Sequence, residues 1–188
     1  MAFSQQTQLL LEELNYSLSR IRDEEVQSLM DAILSARRIF VAGAGRSLLM
    51  MRGFAMRLMH LEMTSFVVGE TVTPSIGPGD LLIIGSGSGE TGTLKIYAQK
   101  ALAAGAKLAL ITVHPDSTLG QMADHKLVIA ASTVKNAQDT GFVSRQPGAS
   151  MFEQTLLLLG DALILALQER LGVTDINESM NRLHANLE

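Results

Sequence analysis

Over residues 4–36 apolar side chains return at three- and four-residue spacing, which predicts two helices, Ser4 to Arg20 and Asp23 to Ala36. Beyond them the period changes. RRIFVAG (37–43), MTSFVV (63–68), the end of GPGDLLIIG (77–85), AKLALITV (106–113) and HKLVIA (125–130) are short apolar runs, and each reads as a strand. Between them SLLMMRGFAMRLMHLE (47–62), TGTLKIYAQKALAAG (91–105) and STLGQMAD (117–124) read as helices. The second is closed by Gly105, the residue expected just past a helix end. A polar stretch, 131–149, precedes a long apolar helix from Met151 to Leu171, and a short amphipathic tail runs from Asp175 to Leu187.

Strands that do not alternate apolar with polar residues are covered on both faces, and strands separated by helices run parallel. The expected fold is therefore α/β, a three-layer α/β/α sandwich around a five-stranded parallel sheet. At 188 residues the chain fits one domain, with N-terminal helices (1–36), a sandwich core (37–171) and a tail (172–188). The N-terminal helices fall outside the repeating β-α unit and are a candidate for packing on another subunit.

In open parallel sheets ligands bind beyond the carboxyl ends of the strands, where the strand order reverses. With the common order 2-1-3-4-5 that point lies between the first and third strands, the two followed by GAGRS (43–47) and GSGSGET (85–91). The second loop offers the hydroxyls of Ser86, Ser88 and Thr91, backbone N–H groups uncrowded by Gly87 and Gly89, and the positive end of the next helix. Neutral donors and a helix dipole can hold a dianion without a lysine, so this is an anion cradle suited to phosphate. The plainer reading is that Ser88 or Thr91 caps the helix and the glycines make a tight turn.

Other motifs find less support. A nucleotide P-loop requires a Gly-Lys-Ser/Thr that is missing, and the third glycine of a dinucleotide fingerprint falls on Leu48. Glu70 lies about where a ribose-binding acid would, which keeps a nicotinamide oxidoreductase as a weak alternative. The histidines His60, His114, His125 and His184 have no partners at ligand spacing, so no metal site is expected.

Composition narrows the classes further. A net charge of −4, with scattered lysines and arginines, gives no footprint for nucleic acid or a membrane surface. The chain has no cysteine, which excludes disulfides and thiolate sites and fits a reducing compartment. The opening MAFSQQTQLLLEEL lacks a signal-peptide pattern, and the apolar run Leu156 to Leu167 is short of a membrane span, so a soluble, cytoplasmic protein is expected.

Taken together, GAGRS, FAMRLMH (54–60), VVGETVTPSIGPGDLLIIGSGSGET (67–91) and QPGASMFEQTLLLLGDAL (146–163) resemble the sugar isomerase (SIS) domain family. Within it they are most like the 6-phospho-3-hexuloisomerases. The resemblance implies interconversion of D-arabino-3-hexulose 6-phosphate and D-fructose 6-phosphate, in the ribulose monophosphate route of formaldehyde fixation. It also implies a homotetramer with active sites near subunit boundaries and no cofactor. By the same resemblance, Ser47 and the run Ser86, Gly87, Ser88, Gly89, Glu90 and Thr91 match substrate-phosphate positions, and Glu153 matches the proton acceptor. SIS domains also serve as phosphosugar sensors in regulators, so a non-catalytic binding module, or an isomerase of another phosphosugar, is the alternative.

Glu153 has a plainer reading too, because Ser150 and Glu153 form S-x-x-E at a helix start, a capping box. Arg46 is a candidate for neutralising the phosphate or an enediolate. His60 closes a largely apolar helix, where a packed residue is the ordinary case; in related isomerases a histidine from a neighbouring subunit assists ring opening. Leu48 and Glu62 stand where related sequences often have glycine.

Overall fold

The chain begins with helices α1 (Phe3–Leu18) and α2 (Asp23–Ser35), followed by β1 (Arg38–Gly43), α3 (Arg46–His60), β2 (Ser65–Val67) and β3 (Asp80–Gly85). Then come α4 (Gly92–Ala103), β4 (Lys107–Thr112), α5 (Thr118–Met122), β5 (His125–Val128), α6 (Ser150–Leu171) and α7 (Ile176–Leu183). The computed structural model describes residues 2–131, 143–173 and 175–187, so residues 132–142 of the expected polar stretch lie outside the described residues.

All strand pairs are parallel, in the order β2-β1-β3-β4-β5. This is the expected α/β/α sandwich. Successive strand residues serve opposite layers: Ile39, Val41, Leu81 and Ile83 join a core under α2, α3 and α6. Phe40, Ala42, Leu82 and Ile84 join a second core under α4 and α5, with Leu94, Ala98 and Leu119. Every residue of β3 is buried, which is why its sequence shows no alternation. The edge strand β2 is shorter than expected because Met63 is drawn back to the end of α3, its N–H donating to the Leu58 carbonyl at 3.1 Å.

The lower end of the sheet is pinned by Asp80. Its buried carboxylate accepts from Arg38 Nε at 3.0 Å, Arg37 Nε at 3.2 Å and the Gly77 N–H at 2.9 Å. The Arg38 hydrogen bond beside it outweighs burial and holds the carboxyl below its usual range. Asp80 and Arg38 are also rung partners of β3 and β1, so this contact fixes the register that runs up to the ligand end.

The N-terminal helices pack on the rest of their own chain. Leu29, Met30 and Ile33 of α2 are in the core, and Glu25 accepts the Val128 N–H at 2.8 Å, tying α2 to β5. Helix α1 packs along α6. Helix α6 is long and apolar enough to cross a membrane by length and composition, but in this fold half of its residues are buried, many of them against the sheet and α3.

Helix α3 ends in a Schellman turn: the Glu62 N–H donates to the Met59 carbonyl at 2.9 Å and Met63 to Leu58 at 3.1 Å. That turn places Glu62 at φ 63°, the left-handed region glycine prefers, and the compensation visible among the described residues is an exposed ion pair with Arg182. Glu62→Ala discards the ion pair but keeps the strain, whereas Glu62→Gly relieves it. Thermal unfolding should therefore show Glu62→Gly to be more stable than Glu62→Ala by about 1 kcal/mol. A lower melting temperature for the glycine variant would contradict the strain.

Candidate functional site

Gly43 at the end of β1 and Gly85 at the end of β3 are direct rung partners, so the two glycine loops leave the sheet side by side. A side chain on either glycine would be crowded at once. A Cβ on Gly43 would lie 2.9 Å from the Leu48 backbone nitrogen, and one on Gly85 would lie 2.8 Å from Met51 Sδ and 2.9 Å from Leu156 Cδ2. Helices α3 and α6 thus close directly over the strand ends. Phe152 of α6 lies against Gly87, whose added Cβ would be 3.3 Å from its ring.

The second loop is fixed to its surroundings by its own backbone. Ser86 donates its N–H to the Ile111 carbonyl at 3.0 Å, and the Gly87 carbonyl accepts from the Val113 N–H at 3.1 Å and the Thr112 hydroxyl at 3.2 Å. Within the loop, Ser86 Oγ accepts the Gly89 N–H and Ser88 Oγ the Glu90 N–H, each at 3.2 Å. Gly89 adopts φ 62° and approaches Ser117 so closely that a Cβ would lie 1.9 Å from its hydroxyl. Thr91 occupies the N-cap position of α4 but makes no capping bond, so the plainer reading of the loop as a helix cap is not what the side chains do.

Between the loops is a pocket of about 210 Å³, lined by Ala44, Ser47, Gly85, Ser86, Gly87, Ser88, Thr91, Leu94, Ala149 and Phe152. Five expected site residues, Ser47, Ser86, Gly87, Ser88 and Thr91, share this wall; Gly89 and Glu90 do not. Among the described residues the lining has hydroxyls, backbone and apolar carbon but no charged side chain, and the N-terminus of α4 opens onto it. That is the composition of an anion site built on neutral donors and a helix dipole. The volume is below that of sites for drug-sized ligands, so it suits the phosphate end of a ligand that extends outward.

Next along the chain to the lining residues Ser47, Ala149 and Phe152 lies a charged group. Arg46, the first residue of α3, donates from one terminal nitrogen to Glu153 Oε2 at 2.9 Å and Ser150 Oγ at 2.8 Å. Residues more than a hundred positions apart therefore meet at one mouth. The capping-box reading of Ser150 and Glu153 does not hold: α6 is preceded by Ala149, no side chain caps it, and both polar groups turn to Arg46 instead.

Glu90 faces the other way. Its carboxylate accepts the Thr118 N–H at 2.6 Å, the Thr118 hydroxyl at 2.9 Å and Lys95 Nζ at 3.1 Å, clamping the loop to the start of α5. The Thr118 N–H, with Lys95 and the Thr118 hydroxyl adding to it, pulls the Glu90 carboxyl down to about 2. Leu48, which stands where related sequences often have glycine, is not in the pocket wall.

His60 is buried at the far end of α3, about 20 Å from Arg46 along the helix axis. It lies parallel to His184, ring centroids 6.2 Å apart, and its Nδ1 has no hydrogen-bond partner among the described residues. Burial pushes its imidazole below the usual histidine value, and Arg57 and His184 add to the effect. His60 does not reach the pocket of its own chain. Glu70 pairs with Arg52 away from both loops. Among the described residues no three His, Asp or Glu side chains converge as a metal site would require.

Ala149 and Phe152 were not singled out from the sequence. Their only signal there was adjacency to Glu153, since helix phase decides which of its neighbours faces the strand ends. A larger pocket, about 510 Å³, opens at the opposite end of the sheet, but its charged side chains are already paired: Asp31 with Arg170, Asp80 with Arg37 and Arg38, and Lys107 with Asp124.

Residues 32–158 match the SIS domain family. The chain is 46% identical over 179 residues to the 3-hexulose-6-phosphate isomerase of Bacillus subtilis, covering 95% of each. It is 40% identical over 180 residues to the 3-hexulose-6-phosphate isomerase of Mycobacterium gastri, covering 96% of this chain and 88% of that protein. Among solved structures, a Methanococcus jannaschii protein superposes with a TM-score of 0.81 at 31% identity, over 98% of this chain and 99% of that one. Its crystal structure was taken to infer a function of 3-hexulose-6-phosphate isomerase.

Two outcomes follow from the loop geometry. Gly89→Ala should weaken binding of inorganic phosphate or fructose 6-phosphate, read by calorimetry, by about 10-fold or more, because the φ and the Ser117 contact both oppose it. Glu90 has a folded pKa of about 2, below its ordinary 4.5. Its contribution to stability is therefore complete above the ordinary value and is lost as pH falls toward 2. The gap in urea midpoint between wild type and Glu90→Gln should be open at pH 6 and shrink between about pH 4.5 and 2; a pH-independent gap would contradict the clamp.

Proposed function

This chain belongs to the SIS domain family, and on that premise we propose that it is an isomerase interconverting D-arabino-3-hexulose 6-phosphate and D-fructose 6-phosphate. The observation that carries this reading is a single carboxylate, Glu153, held by Arg46 at the mouth of a hydroxyl-lined anion pocket. The phosphate occupies the cradle of Ser47, Ser86, Ser88 and Thr91 and the N-terminus of α4. The sugar carbons then extend toward Glu153.

Moving the carbonyl from C3 to C2 requires a proton to leave C2 and another to arrive at C3. Glu153 removes the C2 proton; the electrons of that C–H bond form the C2=C3 double bond, and the C3 carbonyl pair moves to O3. The product is a 2,3-enediolate. Protonated Glu153 then returns a proton to C3 on the same face, while the proton on O2 passes to the O3 oxyanion, directly or through water, and the carbonyl re-forms at C2. One positioned carboxylate can serve both steps. Arg46 donates to Glu153 in the structure and lies next to Ser47, so it can share its hydrogen bonds with negative charge developing on O3. No step calls for a redox cofactor.

The same reading includes a place in the ribulose monophosphate route of formaldehyde fixation, a cytoplasmic location and a homotetramer. In the tetramer a neighbouring subunit would bring His60 to the pocket it cannot reach in its own chain. Exposed Leu49 and Met56 on α3 and Leu157 and Leu165 on α6 support association through that layer.

Glu153→Gln keeps the shape of the mouth and removes the base. In an assay coupled to fructose 6-phosphate, turnover of 3-hexulose 6-phosphate should fall about 10²-fold or more, with fructose 6-phosphate binding largely intact. Near-normal turnover would remove Glu153 from the mechanism. A panel of other phosphosugars in the same assay tests the substrate.

A further inference from the structure

Glu13 is a buried carboxylate that the mechanism does not use. It lies on α1, and its three hydrogen bonds among the described residues go to one distant segment: the Ser144 hydroxyl to Oε2 at 2.6 Å, Gln146 Nε2 to Oε2 at 2.8 Å, and the Arg145 N–H to Oε1 at 2.8 Å. That segment leads directly into α6. Ser144 Oγ also accepts the Gln146 N–H at 3.0 Å, and the Pro147 carbonyl accepts the Ser150 N–H at 3.2 Å, so the hydrogen bonds continue from Glu13 to the first residue of α6. Burial pushes the Glu13 carboxyl up, but the bonds from Ser144, Arg145 and Gln146, with the Arg145 charge, outweigh it and keep the acid below its ordinary value.

What stands at the start of α6 makes this anchor matter. Ala149 and Phe152 line the pocket, while Ser150 and Glu153 meet Arg46. No side chain among the described residues caps α6, so besides the core packing of Met151 and Phe152 and the Arg46 contacts, its first turn is positioned by the incoming chain. We propose that Glu13 is a positioning residue for catalysis, holding segment 144–146 so that the first turn of α6 presents Glu153 at the mouth of the pocket. The N-terminal helix is thereby part of the active-site support within its own chain. Both carboxylate oxygens accept, so an amide of the same shape cannot replace it, because its NH₂ would face a donor.

This inference rests on the assignment of Glu153 as the base, and the test separates the two. Wild type, Glu13→Gln and the double variant Ser144→Ala/Gln146→Ala are compared by amide hydrogen exchange and by kinetics; the double variant leaves α1 intact if Glu13→Gln folds poorly. Exchange in residues 144–153 should quicken about 10-fold or more, with the loop 86–91 unchanged. Turnover should fall about 10-fold to 10²-fold, with KM for the phosphosugar within about 2-fold, since a displaced base costs rate while the cradle is intact. Unchanged exchange in 144–153, or equal loosening of both segments with turnover per folded molecule preserved, would overturn the proposal. Full activity in Glu153→Gln, with exchange in 144–153 still dependent on Glu13, would overturn the base assignment and leave Glu13 only as an anchor.

Discussion

Two parallel strands, β1 and β3, end on the same rung with glycine opposite glycine, and the site hangs from that rung. Because Gly43 and Gly85 carry no side chains, α3 and α6 descend onto the strand ends until Leu48, Met51 and Leu156 touch them. A methyl group on Gly43 would meet the α3 backbone at Leu48, and one on Gly85 would displace the side-chain ends of Met51 and Leu156, so both glycines let the helices that bear Arg46 and Glu153 sit close to the strand ends. The rung is held from below by Asp80 and its two arginines, at the other end of the same ladder. Core packing on both sheet faces leaves the register no alternative, since a slip by one residue would exchange the two layers.

The site divides its labour by chemistry. The inner pocket has no charged lining residue and offers hydroxyls and a helix N-terminus, which suits a group that arrives with its own two charges. Beside it stand one carboxylate, Glu153, and one guanidinium, Arg46, in contact at 2.9 Å. Glu90, an acid inside the glycine-serine run, would repel such a ligand if it faced the pocket; Thr118 and Lys95 turn it outward and make it a clamp. The same logic applies to Glu13, whose charge is consumed by three donors and converted into position.

Much of the fold was legible in the sequence. Aliphatic runs such as LLIIG and LALIT announce doubly covered strands, and the two glycine loops mark the strand ends where a ligand binds. The parts that were not legible depend on partners far along the chain. Ser150 and Glu153 look like a capping box until Arg46, more than a hundred residues earlier, is placed beside them. Glu90 looks like a ligand until α5 delivers Thr118, and α1 and α2 look like a detached arm until the core accepts Leu29 and Ile33. His60 remains apart from its own pocket because a helix of this length carries its two ends to opposite sides of the domain.

The central claim is that Glu153 moves a proton between C2 and C3 of a phosphosugar whose phosphate is held in the hydroxyl cradle. Incubating the protein with fructose 6-phosphate in deuterated water and locating the label by NMR tests it directly. The account predicts deuterium at C3, the carbon that loses its proton when fructose 6-phosphate enters the 2,3-enediol. Label at C1, or binding of fructose 6-phosphate with no exchange at any carbon, would contradict it.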